Sequence, residues 1–234
     1  MLDVKKILNS TDHTNLNPCA TREDIINLCR EALVYETASV CIAQSRIKDA
    51  HNFLQKVYTN DLVTSRFKNR YPRICTVIGF PHGNISTKMK MVEAIDAISC
   101  GVDEIDMVVN LGWIKEGKFE EILNEINMVK AVCERRILKV IVETCYLTEE
   151  EKIKMCKIIS ASSADYIKTS TGFGTAGATP EDIILFKKYI TNGKKIKAAG
   201  GMSCLEDGQK FLDLGADRLG SSKMVKDAIA RKIG

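Results

Sequence analysis

Ala164-Asp165-Tyr166-Ile167-Lys168-Thr169, residues 164–169 of the chain, is short and largely apolar, and its core (165–169) reads as a strand. Ser170-Thr171-Gly172-Phe173-Gly174-Thr175-Ala176-Gly177 follows as a loop of Gly, Ser and Thr. Thr179-Pro180-Glu181-Asp182 then supplies an N-cap with proline at the first helical position. Lys195-Ile196-Lys197-Ala198-Ala199-Gly200-Gly201 is a second strand that runs into a glycine pair. Strand, helix, strand in this order is a β-α-β unit, the building block of parallel sheets.

The same alternation extends in both directions. Extended candidates lie at 38–43, 74–80, 104–110, 138–143 and 218–220, and a further one at 9–14. Several are continuously apolar, as strands covered on both faces are. Helical patterns fill the intervals. Thr21 and Asp24 form a capping-box-like pair, Ser86-Thr87 opens a helix that reaches Gly101, and 119–135 repeats apolar residues every three to four positions. Thr148-Glu149-Glu150-Glu151 places acid in a first turn, and helices are read at 203–214 and 222–233. Eight β-α units closing on themselves make a TIM (β/α)8 barrel, here with a short extra helix at the N-terminus. The competing architecture, an open doubly wound sheet, usually carries a glycine-rich loop after its first strand, and 9–21 has no glycine. No linker, repeat or low-complexity segment divides the chain, so 1–234 reads as one domain. Aromatics are only 6% of the 234 residues, as expected if branched aliphatics fill the barrel layers.

Composition narrows the function. Hydrophobic residues make up 45% and charged residues 27%, which excludes a disordered chain. A net charge of +4 is too mild for a general nucleic-acid binder. The basic clusters at 66–73, 187–188, 194–197 and 223–232 read mostly as solvated ends and loops, with a few available to an anionic substrate. Nine cysteines, with no C-x-x-C pair and several inside apolar runs, argue against a disulfide framework and fit a reducing cytoplasm. With three histidines in addition, no structural zinc site is expected. The first residues lack the apolar core of a signal peptide, and no apolar run nears the roughly 20 residues of a membrane span.

Barrel enzymes carry their chemistry at the C-terminal ends of the strands. Polar residues in or just after the strand candidates are Asp12, Cys41, Asp106, Asn110, Glu143, Thr144, Lys168, Thr169, Lys197, Ser221 and Ser222. Lys168 and Lys197 stand out, because a charged lysine is costly to bury in an aliphatic strand. Both face inward if Ile167 and Ile196 face the helices, and they lie on consecutive strands. Two ammonium groups so placed depress each other's pKa, and a neutral lysine is a nucleophile toward carbonyl carbon. The plainer alternative is that each caps a strand end or pairs with an acid. Asp106 lies inside its strand, with Asp103 and Glu104 at the mouth, and serves either as a partner of Lys197 and proton relay or as a structural ion pair. Three glycine-bearing loops follow successive strands, after Lys168, after Lys197 and at Gly220-Ser221-Ser222. Such loops bring backbone N–H groups and helix N-termini to an anion, or simply make turns. His13 and His82 are read as hydrogen-bonded structural groups before site residues, and Cys41, between Val40 and Ile42, as a buried thiol.

Taken together, Tyr166-Ile167-Lys168-Thr169-Ser170-Thr171-Gly172-Phe173, Lys197-Ala198-Ala199-Gly200-Gly201 and Asp103-Glu104-Ile105-Asp106-Met107-Val108 resemble the deoxyribose-phosphate aldolase family. So do Asp12-His13-Thr14, Ser39-Val40-Cys41, Val77-Ile78-Gly79-Phe80-Pro81-His82-Gly83 and Leu138-Lys139-Val140-Ile141-Val142-Glu143-Thr144, in order from Asp12 to about Lys226. The resemblance implies a metal-free, cofactor-free class I aldolase that reversibly cleaves 2-deoxy-D-ribose 5-phosphate to acetaldehyde and glyceraldehyde 3-phosphate. It assigns the Schiff base to Lys168, a pKa-lowering role to Lys197, and proton transfer with water to Asp106. Gly172, Gly200, Gly201, Gly220 and Ser222, with the adjoining Ser221, match phosphate-binding positions; Asp12, Thr14, Cys41, Lys139 and Thr171 match further polar lining. A homodimer or homotetramer is expected from the same source. Met202 and Ser203 depart from the family's apolar residue and arginine after the glycine pair, leaving the phosphate to backbone amides and helix N-termini. Ile42-Ala43-Gln44 departs after Cys41. An aldolase of another phosphorylated sugar, or a silent barrel that binds phosphorylated ligands or a protein partner, are the other readings.

Overall fold

The computed structural model describes residues 2–59 and 71–233. The basic cluster read at 66–73 therefore falls largely outside the described residues. After α1 (Val4–Asn9) the chain runs β1 (Thr11–Asn15), α2 (Arg22–Val34), β2 (Ser39–Ile42), α3 (Ile47–Tyr58), β3 (Arg73–Ile78) and α4 (Thr87–Ser99). It continues through β4 (Glu104–Val108), α5 (Leu111–Lys115), α6 (Phe119–Cys133), β5 (Ile137–Ile141), α7 (Glu149–Ala161) and β6 (Tyr166–Lys168). It ends with α8 (Pro180–Tyr189), β7 (Lys195–Ala199), α9 (Leu205–Asp213), β8 (Arg218–Ser221) and α10 (Met224–Ala230). The strands close in chain order into a parallel barrel, with β8 back against β1.

The period of two along each strand sorts its residues between two environments. Val40, Ile42, Ile74, Ile105, Met107, Leu138, Val140, Ile167, Ile196 and Leu219 belong to the main apolar core with the helices, outside the sheet. Their neighbours in sequence, Asp12, Glu104, Asp106, Lys139, Lys168, Lys197 and Arg218, are equally buried but inside the barrel. The expectation that aliphatics fill the barrel layers therefore fails: the aliphatic mass lies between sheet and helices, and the interior is largely ionic. Glu104 is likewise not at a mouth but fully buried. Register fixes which inward groups are level. Lys168 pairs with Lys197, Lys197 with Arg218, Asp106 with Lys139, and Cys41 with Cys75.

Local chemistry starts the helices where the sequence places them. Thr21 with Asp24, Thr148 with Glu151 and Thr179 with Asp182 each form a reciprocal capping box, a cap whose loss costs about 1 kcal/mol. The ends differ from the sequence reading by a few residues. The first strand begins at Thr11 because α1 holds the chain to Asn9. The last two helices begin at Leu205 and Met224, because Ser203 and Ser221 are used in the turns that precede them.

Candidate active site

The site is built in two tiers. The lower tier is the ionic interior. Asp106, on β4, accepts hydrogen bonds from Lys139 Nζ at Oδ1 (2.8 Å) and from both Lys168 Nζ and Lys197 Nζ at Oδ2 (2.7 Å each). Lys197 also donates to Asp12 Oδ2. Asp12 Oδ1 accepts from Arg218 at 2.6 Å, and Glu104 lies 2.6 Å from Lys139 and 3.3 Å from Arg218. Burying so many charges costs several kcal/mol per ion unless each is paired, and here the pairing is continuous.

These contacts decide the protonation states. Burial works against the charged forms of Asp106, Asp12, Lys197 and Lys139. At Asp106 it is overcome by Lys139, Lys168 and Lys197, which hold the carboxyl well below the usual range. At Asp12 the same opposition is overcome by Lys197, Arg218 and Lys139. At Lys197 the attraction of Asp106 and Asp12 outweighs burial, so its ammonium is held above the ordinary lysine value. The expectation that Lys197 is depressed by a neighbouring lysine is thus reversed: Asp106 and Asp12 are the closer partners. Lys139 is raised in the same way by Asp106, Cys75, Glu104 and Asp12 against burial.

The upper tier is a cleft of about 400 Å³ at the C-terminal ends of the strands. Lys168 reaches its wall, as do Thr14, Thr171, Gly172, Gly200, Gly201, Gly220, Ser221 and Ser222. Asp12, Cys41, Asp106, Lys139 and Lys197 are not on that wall; they lie buried within the barrel. Of the three lysines around Asp106, Lys168 is the one that reaches the cleft, and its ion-pair partner is Asp106.

Backbone conformation shapes the rim. Gly172, Gly200 and Gly201 have φ of +87°, +78° and +76°, a region glycine enters without cost. At Gly177 a Cβ would lie 2.3 Å from the Gly200 carbonyl carbon, so two glycine loops touch through bare backbone. Thr169 ties these loops to the sheet, since its hydroxyl accepts from Ala199 N (3.0 Å) and donates to Ala199 O (3.2 Å). Ser221 Oγ accepts from Lys223 N and Met224 N, which commits it to its own turn. Ser203 donates from N and Oγ to Asp207, another local cap.

Several groups in or beside the cleft have roles that the sequence did not show. Lys223, read as part of a solvated cluster, lines the cleft beside Ser222 and places a cation on the rim. Arg218 carried the same signal as Lys197, a cation in a strand, and joins the network. Glu143 is buried with left-handed backbone (φ 52°, ψ 66°), and its carboxylate accepts from both the N–H and the hydroxyl of Thr171. It anchors the loop after β6. Across from the glycines, Leu16 and Phe80 pack on Cys41, Cys75 and Val77 as a small apolar wall, and Phe80 meets Phe173 edge-on at 5.3 Å. His13 faces outward to Glu31 (2.7 Å), and His82 is exposed.

A closed parallel barrel whose C-terminal rim opens on a buried lysine–aspartate network has the layout of a barrel enzyme, with its site where that fold carries catalysis. More narrowly, the chain belongs to the DeoC/LacD family of aldolases, whose pattern matches residues 6–231. It is 48% identical over 232 residues to a Streptococcus agalactiae (serotype Ia) protein named deoxyribose-phosphate aldolase, covering 99% of this chain and 98% of that one. Among solved structures it resembles QR15, an aldolase, with a TM-score of 0.84 and 32% identity over 100% of this chain and 99% of the other. It also resembles the Aeropyrum pernix deoxyribose phosphate aldolase, described as a unique tetramer, with a TM-score of 0.78 and 27% identity over 97% and 92%. Among the described residues no helix is long and apolar enough to cross a membrane.

Proposed function

We propose that the chain cleaves 2-deoxy-D-ribose 5-phosphate reversibly to acetaldehyde and glyceraldehyde 3-phosphate, with Lys168 as the Schiff-base nucleophile. The observation that carries the assignment is that Lys168 alone among Lys139, Lys168 and Lys197 lies on the cleft wall, 2.7 Å from Asp106. Lys168 Nζ adds to the C1 carbonyl of the open-chain sugar after passing a proton to Asp106 or water. Loss of water gives an iminium. Removal of the C3 hydroxyl proton then breaks the C2–C3 bond, and the iminium accepts the electron pair as an enamine. Protonation at C2 and hydrolysis release acetaldehyde and free the lysine. Lys197, held charged by Asp106 and Asp12, orients Asp106 and favours the ionised form to which it returns after each transfer.

In this reading the phosphate sits against Gly172, Gly200, Gly201, Gly220 and Ser222, which line the cleft and where glycine lets the backbone come close to an anion, and Lys223 supplies the charge that Ser203 does not. Asp12, Cys41 and Lys139 support the network from below, and Thr14 and Thr171 line the cleft above it. The whole chain, 1–234, works as one domain. Its nine free cysteines support a cytoplasmic location, and the tetrameric relative supports a homodimer or homotetramer, which light scattering checks. The substrate is tested by acetaldehyde release from 2-deoxy-D-ribose 5-phosphate beside a panel of other phosphorylated sugars. Turnover of the deoxy sugar is expected; an inert deoxy sugar with turnover of another member would assign a different substrate.

A further inference from the structure

Cys41 and Cys75 are not surface thiols or members of the main apolar core. They are register partners on the paired strands β2 and β3, both buried, and both on the inner side of the barrel. Their sulfur atoms and a carboxylate oxygen of Asp106 lie within 4.8 Å of one another. Neighbouring strands stand about 4.8 Å apart, inside the Cα separation a disulfide requires. We propose that Cys41 and Cys75 form a peroxide-oxidisable dithiol pair within the barrel, whose disulfide switches the enzyme off and whose reduction restores it.

The two thiols are unequal, which suits them to successive roles. A hydrogen bond from Cys75 lowers Cys41 below the usual thiol value against burial, helped by the positive charges of Lys197 and Lys168. Cys75 is pushed well above it by burial, by its bond to Cys41 and by the charge of Asp106. The buried thiols of the outer core behave as inert hydrophobes: burial pushes Cys29 and Cys156 up to about 12 and Cys133 to about 11. Cys41 as thiolate attacks one oxygen of hydrogen peroxide; that oxygen stays on sulfur as the O–O bond breaks, and the other leaves as hydroxide and takes a proton to become water. The resulting sulfenic acid is attacked by Cys75, which loses its proton as the S–S bond forms and a second water departs. Two thiol hydrogens and one peroxide give one disulfide and two waters, with the two electrons ending on peroxide. A two-oxygen oxidant is smaller than the sugar the cleft accepts, and the cleft reaches Lys168, whose charge acts on Cys41.

Two thiols and a carboxylate are also donors for a soft cation. Here, however, Lys139 donates to Cys75 Sγ (3.4 Å) and to Asp106 Oδ1, while Lys168 and Lys197 occupy Oδ2, so the same atoms already face three ammonium groups. Oxidation needs no such charge to be displaced. It does remove the Cys75 S–H, whose sulfur lies 3.3 Å from Asp106 Oδ1, and it tethers β2 to β3 beneath the cleft.

The functional half of this inference rests on the proposed aldolase reading; the cross-link does not. The test treats the full-length protein with hydrogen peroxide, alkylates free thiols, and maps peptides by mass without reduction. A Cys41–Cys75 cross-linked peptide is expected, with kcat/KM for 2-deoxy-D-ribose 5-phosphate lowered about tenfold or more and recovered with dithiothreitol. A Cys75→Ser protein should form no such peptide, and its ratio of treated to untreated activity should stay near one whatever its basal rate. The proposal is overturned if exposed Cys19 oxidises while no Cys41–Cys75 peptide forms, if the cross-linked protein keeps full activity, or if Cys75→Ser is inactivated in the same proportion as the parent. A protein inactive on the deoxy sugar before treatment counts against the substrate, and the cross-linked peptide then decides the pair by itself.

Discussion

The interior of the barrel and its rim solve opposite problems. Inside, seven ionisable side chains from six strands are buried, and each is fixed by a partner of opposite charge. At the rim, side chains are nearly dispensable. Gly172, Gly177, Gly200, Gly201 and Gly220 leave bare backbone; the Ser203 hydroxyl is bonded to Asp207 in its own turn, and the Ser221 hydroxyl donates to Met202 O and accepts from Lys223 N and Met224 N. The proposed mechanism thus puts the chemistry on side chains below and the recognition on main chain above, with Lys168 as the group that belongs to both. The two tiers should fail differently: damage below removes rate and stability, and damage above weakens substrate binding.

The largest effect is expected at the junction. Lys168→Ala should lower kcat on the order of 10⁴-fold or more, since the nucleophile is lost while the rim is intact. Asp106→Asn comes next. It leaves three lysines without their shared acid, so kcat should fall about 10²–10⁴-fold and stability by roughly 3–5 kcal/mol, read by denaturant titration. The pH dependence follows from the same contacts. Asp106 and Asp12 are depressed in the folded state, so their stabilisation is present above about pH 3.9 and is lost as pH falls below that value. Lys139 and Lys197 are raised, so theirs is present below about pH 10.4 and is lost as pH climbs beyond it. The stability gap between the parent and Asp106→Asn should therefore be flat from about pH 5 to pH 9 and narrow in acid.

Rim changes should be smaller and of another kind. Gly177→Ala drives a methyl into the Gly200 backbone, and displacing that loop should raise KM for the phosphorylated sugar about tenfold with a smaller change in kcat. Lys223→Ala should raise KM a few-fold, roughly the ~1 kcal/mol of an exposed charge contact, and the loss should shrink at high salt. A fall in kcat with unchanged KM in either variant would break the division between the tiers.

How far each tier was legible in sequence follows from the same physics. Lys168 and Lys197 announced themselves because a charge inside an aliphatic strand has no cheap explanation. Arg218 offered the same signal but opens its strand, where Arg73 and Lys195 are exposed. Register places Arg218 level with Lys197, one layer deeper than Lys195, and register is a property of the closed sheet. Glu104 was misplaced for the same reason. Glu143 was a candidate by its place at a strand end, but its role as a loop anchor was hidden, because nothing in Val142-Glu143-Thr144 indicates that a non-glycine backbone turns left-handed there. The glycine loops were visible as composition, whereas the contact between Gly177 and Gly200 depends on the approach of two loops. Lys223 was hidden in a run of lysines, which sequence alone cannot divide between solvent and site.

In the proposed mechanism Lys168, and not the neighbouring Lys197 or Lys139, carries the covalent chemistry. Incubating the protein with acetaldehyde, reducing with borohydride and mapping peptides by mass tests it directly. A two-carbon adduct is expected on the peptide containing Lys168 and none in Lys168→Ala; an adduct on Lys197 or Lys139, or undiminished turnover in Lys168→Ala, would overturn the assignment.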